Sequence, residues 1–241
     1  MRSHNILLIG SSGGIGKELT QHFLQAGHKL ALHYFRNKPP EKDVDGGTAN
    51  VRTYQADITK EEEVIGLIAA VKKDFGSIDV VINNAGISIS EISWKLQLTN
   101  WDETIGVNLT GPFLVSKHVI PIMREKGFGR IIYISSIVAQ TGFVGTAAYA
   151  ASKAGLIGLT RSLAKELAGY GITVNSLSLG YFNVGMIHDV PDDLREELMK
   201  QIPKGKLGTP QEVGALMDYV ISEPASYLTG QTLNLNGGLY F

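Results

Sequence analysis

Residues 5–16 read NILLIGSSGGIG, and this stretch decides the fold. Four apolar residues, Ile6 to Ile9, have the length of a buried strand, and they lead directly into a glycine-rich turn. A segment of helical period follows from Gly16 to Ala26. Glycines let a backbone approach a diphosphate closely, and the start of a helix presents N–H groups to an anion. This order therefore favours a dinucleotide site over the alternative, an ordinary glycine-rich turn. The loop residues expected at the diphosphate are Gly10, Ser11, Ser12, Gly13, Gly14, Ile15 and Gly16.

Apolar runs of strand length recur along the chain and alternate with segments of helical period. The runs are Ile6–Ile9, Lys29–Tyr34, Val51–Gln55, Val80–Asn83, Arg130–Ser135, Thr173–Ser178 and Gln231–Leu235. The helical segments are Gly16–Ala26, Glu61–Phe75, Trp101–Lys126, Ala148–Tyr170 and Pro210–Ile221. Such alternation implies βαβ units, and several runs lack polar alternation, as in strands covered on both faces. We predict an α/β fold in one domain over residues 1–241, a Rossmann-like, doubly wound parallel sheet with helices on both faces.

Composition excludes several classes of protein. The chain has 22 basic and 23 acidic residues, so its net charge of −1 gives no general attraction to nucleic acid or an anionic membrane. The absence of cysteine rules out disulfides and thiolate chemistry, and the histidines form no ligand-spaced cluster with carboxylates, so we expect no metal. Apolar runs are too short for a signal peptide or a membrane span. We expect a cytoplasmic protein that binds neither nucleic acid nor membrane.

The connection after Tyr34 differs from the others. Residues 35–47 carry two prolines and two glycines, which leave little room for a regular helix. We predict a loop or a single turn there.

A tyrosine followed four residues later by a lysine occurs twice. After the first pair, Tyr34 and Lys38, two prolines argue against a helix. The second pair, Tyr149 and Lys153, lies in the helical run AAYAASKAGL, where this spacing places both side chains on one face. A lysine charge beside a phenol is expected to lower the phenol pKa, which lets the phenol exchange a proton with an alkoxide. The alternative is a surface pair on a helix.

Ser136 follows the predicted strand 130–135, at the edge where open α/β sheets place ligands. A hydroxyl there would hold a substrate carbonyl beside the Tyr149 phenol. The alternative is a serine that caps a turn, which is common at the end of a strand.

Taken in order, these residues resemble the short-chain dehydrogenase/reductase family over essentially the whole chain. The further motifs behind the resemblance are Asp57, NNAG at 83–86, Asn108 and the ending LTGQTLNLNGG at 228–238. Within the family, this ending and IPKGKLGTPQEV at 202–213 are most similar to β-ketoacyl-[acyl-carrier-protein] reductases.

The resemblance implies a role for each matching residue. Tyr149 would be the general acid, Lys153 would lower its pKa and bind the nicotinamide ribose, and Ser136 would orient the substrate carbonyl. Asn108 would anchor a water that leads protons to Lys153. The other residues implied at the cofactor are Asp57 and Ile58 at the adenine, Asn84, Ala85 and Gly86 along the cleft, and Gly180, Phe182 and Val184 near the nicotinamide.

Asn108 lies in a helical segment, with Pro112 four residues later. Proline has no N–H, so the Asn108 carbonyl loses its helical partner. We hypothesise that Pro112 frees this carbonyl to hold the relay water; a tolerated helix kink is the alternative.

Several positions depart from the family's pattern. Ile9 stands where a threonine is usual, and Leu179 stands where a proline precedes Gly180. Val184 replaces a threonine that often grips the nicotinamide carboxamide. Backbone groups of residues 182–184 or the Asn183 side chain would then have to compensate.

The choice of cofactor depends on the end of the second strand, where HYFRN at 33–37 offers no carboxylate to a ribose 2′-hydroxyl. Arg36 could pair with a 2′-phosphate, so we predict NADP ahead of NAD. Gly13 stands where NADP-preferring relatives often have a basic residue and argues the other way. The alternative for Arg36 is a solvated surface residue.

Residues 181–207 are expected to form a substrate lid whose apolar side chains pack internally or meet an acyl chain. Arg130 matches a basic position that some carrier-protein-dependent relatives use near the site entrance, whereas Tyr170 stands where they often have arginine. An acyl carrier protein is therefore a candidate partner. The segments Trp101–Lys126 and Ala148–Tyr170 resemble the helices by which the family forms dimers and tetramers, so we expect a homo-oligomer, either a homotetramer or a dimer.

The resemblance thus implies NADPH-dependent reduction of a 3-oxoacyl thioester, linked to acyl carrier protein or CoA, within fatty acid biosynthesis. Two alternatives stay open: a broader ketone/alcohol dehydrogenase of the same family, and a nucleotide-binding sensor with little turnover.

Overall fold

A computed structural model describes residues 3–39 and 50–241. The strands are β1 (Asn5–Ile9), β2 (Lys29–Tyr34), β3 (Val51–Gln55), β4 (Val80–Asn83), β5 (Gly129–Ser136), β6 (Ile172–Leu179) and β7 (Thr232–Leu235). The helices are α1 (Gly14–Gln25), α2 (Glu61–Phe75), α3 (Leu98–Ile105), α4 (Gly111–Lys126), α5 (Val138–Thr141), α6 (Ala147–Leu167), α7 (Asp192–Gln201) and α8 (Pro210–Ile221). The predicted loop at 35–47 lies mostly outside the described residues, and its described part, residues 35–39, has no regular structure.

The strands form one parallel sheet in the order β3-β2-β1-β4-β5-β6-β7. The chain builds outward from β1 to β3, then returns to place β4 on the other side of β1. The connections after β1 and β4 therefore diverge, which creates a crevice at the carboxyl ends of these two neighbouring strands. The predicted doubly wound α/β fold is confirmed.

Apolar side chains on both faces of the sheet explain why its strands lack polar alternation. In β1, Leu7 and Ile9 belong to the core layer that also contains residues of α2, α4 and α6. Ile6 and Leu8 point to the opposite layer, with residues of α1 and α8. Because successive side chains of a strand alternate between faces, a strand covered on both sides reads as a continuous apolar run.

The segment expected as one helix over Trp101–Lys126 is interrupted. Residues Gly106–Thr110 form a π-helical turn between α3 and α4, and the Gly111 N–H donates to the Gly106 carbonyl five residues back. Pro112, in the first turn of α4, cannot donate to the carbonyl of Asn108. The backbone widens where this α-helical hydrogen bond is missing.

The proposed lid leaves the end of β6 and reaches back over the sheet edge. It contains a 3₁₀ turn at Gly185–Asp189 and helix α7. The turn touches the start of α1, since a Cβ added to Gly14 would lie 2.6 Å from the Gly185 Cα. Met186 and Leu194 are exposed, whereas Ile187 is buried. Within the described ranges, no helix is both long and apolar enough to cross a membrane.

Candidate active site

A cavity of about 750 Å³ opens at the carboxyl end of the sheet. This volume lies within the range of small-molecule and cofactor sites, roughly 300–1,000 Å³. Residues far apart in sequence meet in its wall. The predicted site residues that line it are Gly10, Ser12, Gly13, Gly14, Ile15, Arg36, Asn84, Ala85, Gly86, Ser136, Tyr149, Lys153, Gly180, Phe182 and Val184.

The glycine loop is shaped for close approach of a ligand. Gly10 has a φ of +77°, and a Cβ there would lie 2.6 Å from the Ala85 Cα. A Cβ on Gly16 would lie 2.1 Å from the Gly10 carbonyl oxygen, so neither position accepts a side chain. Gly13, by contrast, leaves open space at the start of α1: apart from its own neighbours in the chain, none of the described residues comes within 4 Å of a Cβ placed there. This cradle fits a diphosphate. Ser11 is buried behind the loop rather than in the cavity wall.

His33 supports this loop and was not among the predicted site residues. It is 2% exposed, its Nδ1 lies 3.2 Å from the Gly10 nitrogen, and its Nε2 lies 2.9 Å from the Ala56 carbonyl oxygen. Burial lowers the pKa of His33. The sequence feature that could have pointed to this role is the position of His33 itself, a polar residue that follows the apolar residues of β2.

The Tyr149 phenol lies beside Ser136, and both residues are almost buried. Burial raises the pKa of Tyr149, the hydrogen bond with Ser136 lowers it, and nearby Tyr181 raises it; the net direction is upward. The expectation that Lys153 lowers this pKa is wrong: burial sets the direction, and the side chains that also act on the phenol are Ser136 and Tyr181. The phenol therefore keeps its proton throughout the neutral pH range.

Lys153 is 3% exposed and donates from Nζ to the Ile134 carbonyl at 2.8 Å. Its Nζ lies 5.7 Å from the centre of the Tyr149 ring. The Ser135 hydroxyl donates to the Lys153 carbonyl at 3.0 Å, so α6 and the end of β5 are joined twice. Burial lowers the pKa of Lys153 to about 8.

Asn108 lies behind the cavity wall, in the π-helical turn, and is fully buried. Its Oδ1 accepts from the Ile87 N–H at 2.8 Å, and its Nδ2 donates to the Ile87 carbonyl at 2.8 Å and to the Ser152 hydroxyl at 3.1 Å. A Cβ on Gly86 would approach the Lys153 Nζ to 3.2 Å and the Asn108 Oδ1 to 3.4 Å. The side chain thus holds the segment after β4, while the water-binding role of its carbonyl stays a prediction.

Two residues expected at the adenine do not line the cavity. The Asp57 Oδ1 accepts from the Thr59 N–H at 3.0 Å and from its hydroxyl at 2.7 Å. Burial raises the pKa of Asp57, but these hydrogen bonds and Lys60 lower it overall. Ile58 is buried against Gly111, where a Cβ would come within 2.7 Å of its side chain.

Near Gly180, where nicotinamide is expected, some of the groups that could replace a threonine hydroxyl already make hydrogen bonds within the protein. The Val184 N–H donates to the Phe182 carbonyl at 2.7 Å, and the Asn183 N–H donates to the Gly208 carbonyl at 2.9 Å. The exposed Asn183 side chain is the remaining candidate.

The expectation that Arg130 lies near the site entrance is wrong. Arg130 stands at the amino end of β5, opposite the cavity, and is 2% exposed. Its guanidinium lies 4.4 Å from the centre of the Phe128 ring, and Nη1 donates to the Gly129 carbonyl at 2.8 Å. The aromatic ring and the backbone cover the charge, so it cannot meet a docking partner.

The comparisons with known proteins agree with this architecture. Residues 9–240 match the family described as enoyl-(acyl carrier protein) reductase. An acetoacetyl-CoA reductase of Rhizobium meliloti is 39% identical over 236 residues, which cover 98% of each chain. Nodulation protein G of Azospirillum brasilense is 37% identical over 239 residues, 98% of this chain and 97% of that protein. A 3-oxoacyl-[acyl-carrier-protein] reductase of Staphylococcus epidermidis is 36% identical over 238 residues, 97% of this chain and 98% of that protein.

The fold and the cavity define an α/β protein with a ligand crevice at the switch point of its sheet. The matches cover nearly the whole chain, and the chain belongs to the short-chain dehydrogenase/reductase family.

Replacement of Lys153 by methionine should stabilise the protein at neutral pH. An unfolded lysine titrates near 10.5 and the folded one near 8, so burial of the ammonium costs about 3 kcal/mol at pH 7. Loss of the Ile134 hydrogen bond offsets about 1 kcal/mol of the gain. Between pH 8 and 10.5 the unfolded state binds more protons than the folded state, so wild-type stability rises with pH and the advantage of the variant shrinks.

Urea denaturation at pH 7 and pH 10 measures this difference. Lys165→Met, at an exposed position of the same helix, serves as the control and should show no such trend. A Lys153→Met protein that is less stable than wild type by the same amount at both pH values would contradict the prediction.

Proposed function

We propose that this protein reduces the 3-keto group of a 3-oxoacyl thioester to a 3-hydroxyacyl thioester with NADPH. The observation that carries the proposal is the buried constellation of Ser136, Tyr149 and Lys153 in the wall of the same cavity as the glycine loop. The names of two relatives, an acetoacetyl-CoA reductase and a 3-oxoacyl-[acyl-carrier-protein] reductase, support the substrate class.

The chemistry assigns one task to each side chain. A nicotinamide held by Gly180, Phe182 and Val184 would supply a hydride to the keto carbon. Ser136 holds the carbonyl oxygen, and the Tyr149 hydroxyl donates its proton to this oxygen as negative charge develops there. The raised pKa of Tyr149 keeps the proton in place beforehand. The Lys153 ammonium stabilises the phenolate that remains, and a water on the Asn108 carbonyl returns a proton through Lys153.

The proposed cofactor contacts follow the cavity from end to end. The loop of residues 10–16 holds the diphosphate, and residues 84–86 follow the cleft. Gly180, Phe182 and Val184 position the nicotinamide. Asp57 and Ile58 support the adenine end from behind the wall, and Arg36, whose guanidinium lies 5.3 Å from the centre of the Phe35 ring, pairs with the 2′-phosphate of NADP.

The thioester carrier is CoA or acyl carrier protein, and residues 181–207 form the lid over the acyl chain. The reaction has its place in fatty acid biosynthesis. We also propose a cytoplasmic location, because an acyl thioester and a reduced dinucleotide are both too polar to cross a membrane unaided.

We propose a homotetramer, with a dimer as the smaller alternative. Large apolar side chains remain exposed on the single chain, including Phe113 on α4 and Tyr219 on α8. The C-terminal segment is held by the Asn236 amide, which donates to the Tyr240 carbonyl at 2.9 Å, yet Phe241 is 97% exposed. An anchored segment that presents an exposed aromatic ring is typical of a surface covered by another subunit.

Conversion of Tyr149 to phenylalanine removes the proposed acid while keeping the ring. We expect turnover of acetoacetyl-CoA with NADPH to fall by at least about a hundredfold, with dinucleotide binding retained. Tyr227→Phe, at a fully exposed position outside the cavity wall, is the matched control and should keep full activity. Oxidation of NADPH at 340 nm measures both variants, and crotonyl-CoA is offered in parallel. Reduction of crotonyl-CoA alone would replace the proposal by enoyl reduction, whereas an active Tyr149→Phe protein would refute the assigned acid.

Substitution of Arg36 by alanine should lower the preference for NADPH over NADH. One charge-assisted hydrogen bond to the 2′-phosphate is lost, so the ratio of kcat/KM values should fall by roughly tenfold or more. Arg52→Ala is the control, because Arg52 is a neighbouring exposed arginine on β3 that pairs with Asp74 and lies outside the cavity wall. An unchanged ratio in Arg36→Ala would remove Arg36 from cofactor selection.

Light scattering on the eluting protein at micromolar concentration should give the mass of a tetramer or a dimer. A mass near 26.0 kDa, that of one chain, would overturn the proposed assembly.

A further inference from the structure

His33 connects two parts of the proposed cofactor site that belong to different strands. The ring lies between Gly10, which follows β1, and Ala56, which follows β3. A carbonyl oxygen only accepts hydrogen bonds, so the contact with Ala56 requires a proton on Nε2. Nδ1 is then the acceptor for the Gly10 N–H, and these two contacts select one neutral tautomer of the ring.

The main chain of His33 holds the next residue of the glycine loop. The His33 carbonyl accepts from the Ser11 N–H at 3.0 Å and from the Ser11 hydroxyl at 2.9 Å. The first two residues of the loop are therefore both tied to His33. Because Gly10 adopts a positive φ and touches Ala85, a shift of its amide would displace the whole turn.

We propose that His33 is a positioning residue for dinucleotide binding, acting through the Gly10 amide rather than by contact with the reacting atoms. The neutral ring holds the diphosphate loop through Gly10, and the Ala56 carbonyl fixes the tautomer in which Nδ1 can accept that hydrogen bond. This inference rests on the proposed function, because it concerns the same dinucleotide.

Protonation of the ring would undo the arrangement. A proton on Nδ1 of His33 would face the N–H of Gly10, so the hydrogen bond between them would be lost. We therefore expect the affinity for the dinucleotide to fall as the pH falls. Burial lowers the pKa of His33, which keeps the ring neutral near pH 7, while the hydrogen bond to the Ala56 carbonyl and, to a smaller extent, Asp57 on the neighbouring connection act against this shift. Tyr54, the titratable residue paired with His33 in the register of β3, is engaged with Asp74, and Arg36 follows on the same strand end.

Three variants separate positioning from simple stability. His33→Phe keeps an aromatic ring but removes both nitrogens, and we expect the Kd for NADPH at pH 7 to rise at least tenfold. His33→Asn retains an oxygen near the position of Nδ1 that accepts from Gly10, so its Kd should stay within about threefold of wild type. His28→Phe is the matched control: His28 is also buried, and its Nδ1 accepts the His4 N–H at 3.0 Å, but at the amino end of the sheet.

Fluorescence titration of NADPH and of NADH, without substrate, measures the Kd of each dinucleotide. Activity measurements alone would not separate this affinity from the rate of the reaction. Both cofactors should weaken equally in His33→Phe, unlike in Arg36→Ala, and kcat at saturating NADPH should be retained. From pH 7 to pH 5 the wild-type affinity should fall, whereas the affinity of His33→Asn should stay level because an amide does not titrate. This last comparison remains decisive if His33→Phe fails to fold.

The outcomes distinguish the two proposals. A wild-type protein that binds neither dinucleotide would overturn the proposed function and this inference together. Wild-type binding with unchanged affinity in His33→Phe, equal weakening in His28→Phe, or the same pH profile in His33→Asn and wild type would overturn the role of His33 alone.

Discussion

The site depends on one double contact between a helix and a strand. Lys153 donates to a carbonyl of β5, and a hydroxyl of β5 donates back to the Lys153 carbonyl. The ammonium is buried, so a rotation or slide of α6 would leave a charge without a partner in apolar surroundings, at a cost of several kcal/mol. This contact places Tyr149, one helical turn earlier, beside Ser136 at the strand end. The side chains proposed to react therefore take their relative positions from this contact.

The segment after β4 connects this half of the site with the glycine loop. The Asn84 side chain donates to the Gly10 carbonyl at 2.8 Å, which links the two strands at the switch point. Three residues later, Ile87 is held at both its N–H and its carbonyl by Asn108. Gly86, between them, leaves the space that the Lys153 ammonium occupies. A short run of backbone thus sets the distance between the proposed hydride donor and the proposed proton donor.

The strands and the Tyr149–Lys153 helix could be predicted from sequence because each depends on periodic burial along a local stretch. The glycine loop was also predictable from a local stretch of sequence. It lies between a strand and a helix in the chain, and this order places it at the carboxyl edge of the sheet. Other features arise from contacts between distant segments. Arg130 is covered by Phe128, the Tyr149 pKa follows from burial, and His33 acts through Gly10 and Ala56, which pattern analysis does not bring together. The π-helical turn depends on both Pro112 and the packing of Gly111 on Ile58.

That turn also determines which changes in chain length this protein can accept. Each residue of an α-helix rotates the chain by about 100°, and a π-helical turn accommodates one extra residue. A one-residue deletion within 106–110 would allow a regular helix from 98 to 126. The same deletion would swing Asn108 away from Ile87, or turn the buried Leu114 and Val115 out of the core. An insertion or deletion in this segment would therefore disrupt either the site or the core. Homologous chains should keep the same number of residues between 98 and 126 even where the amino acids differ.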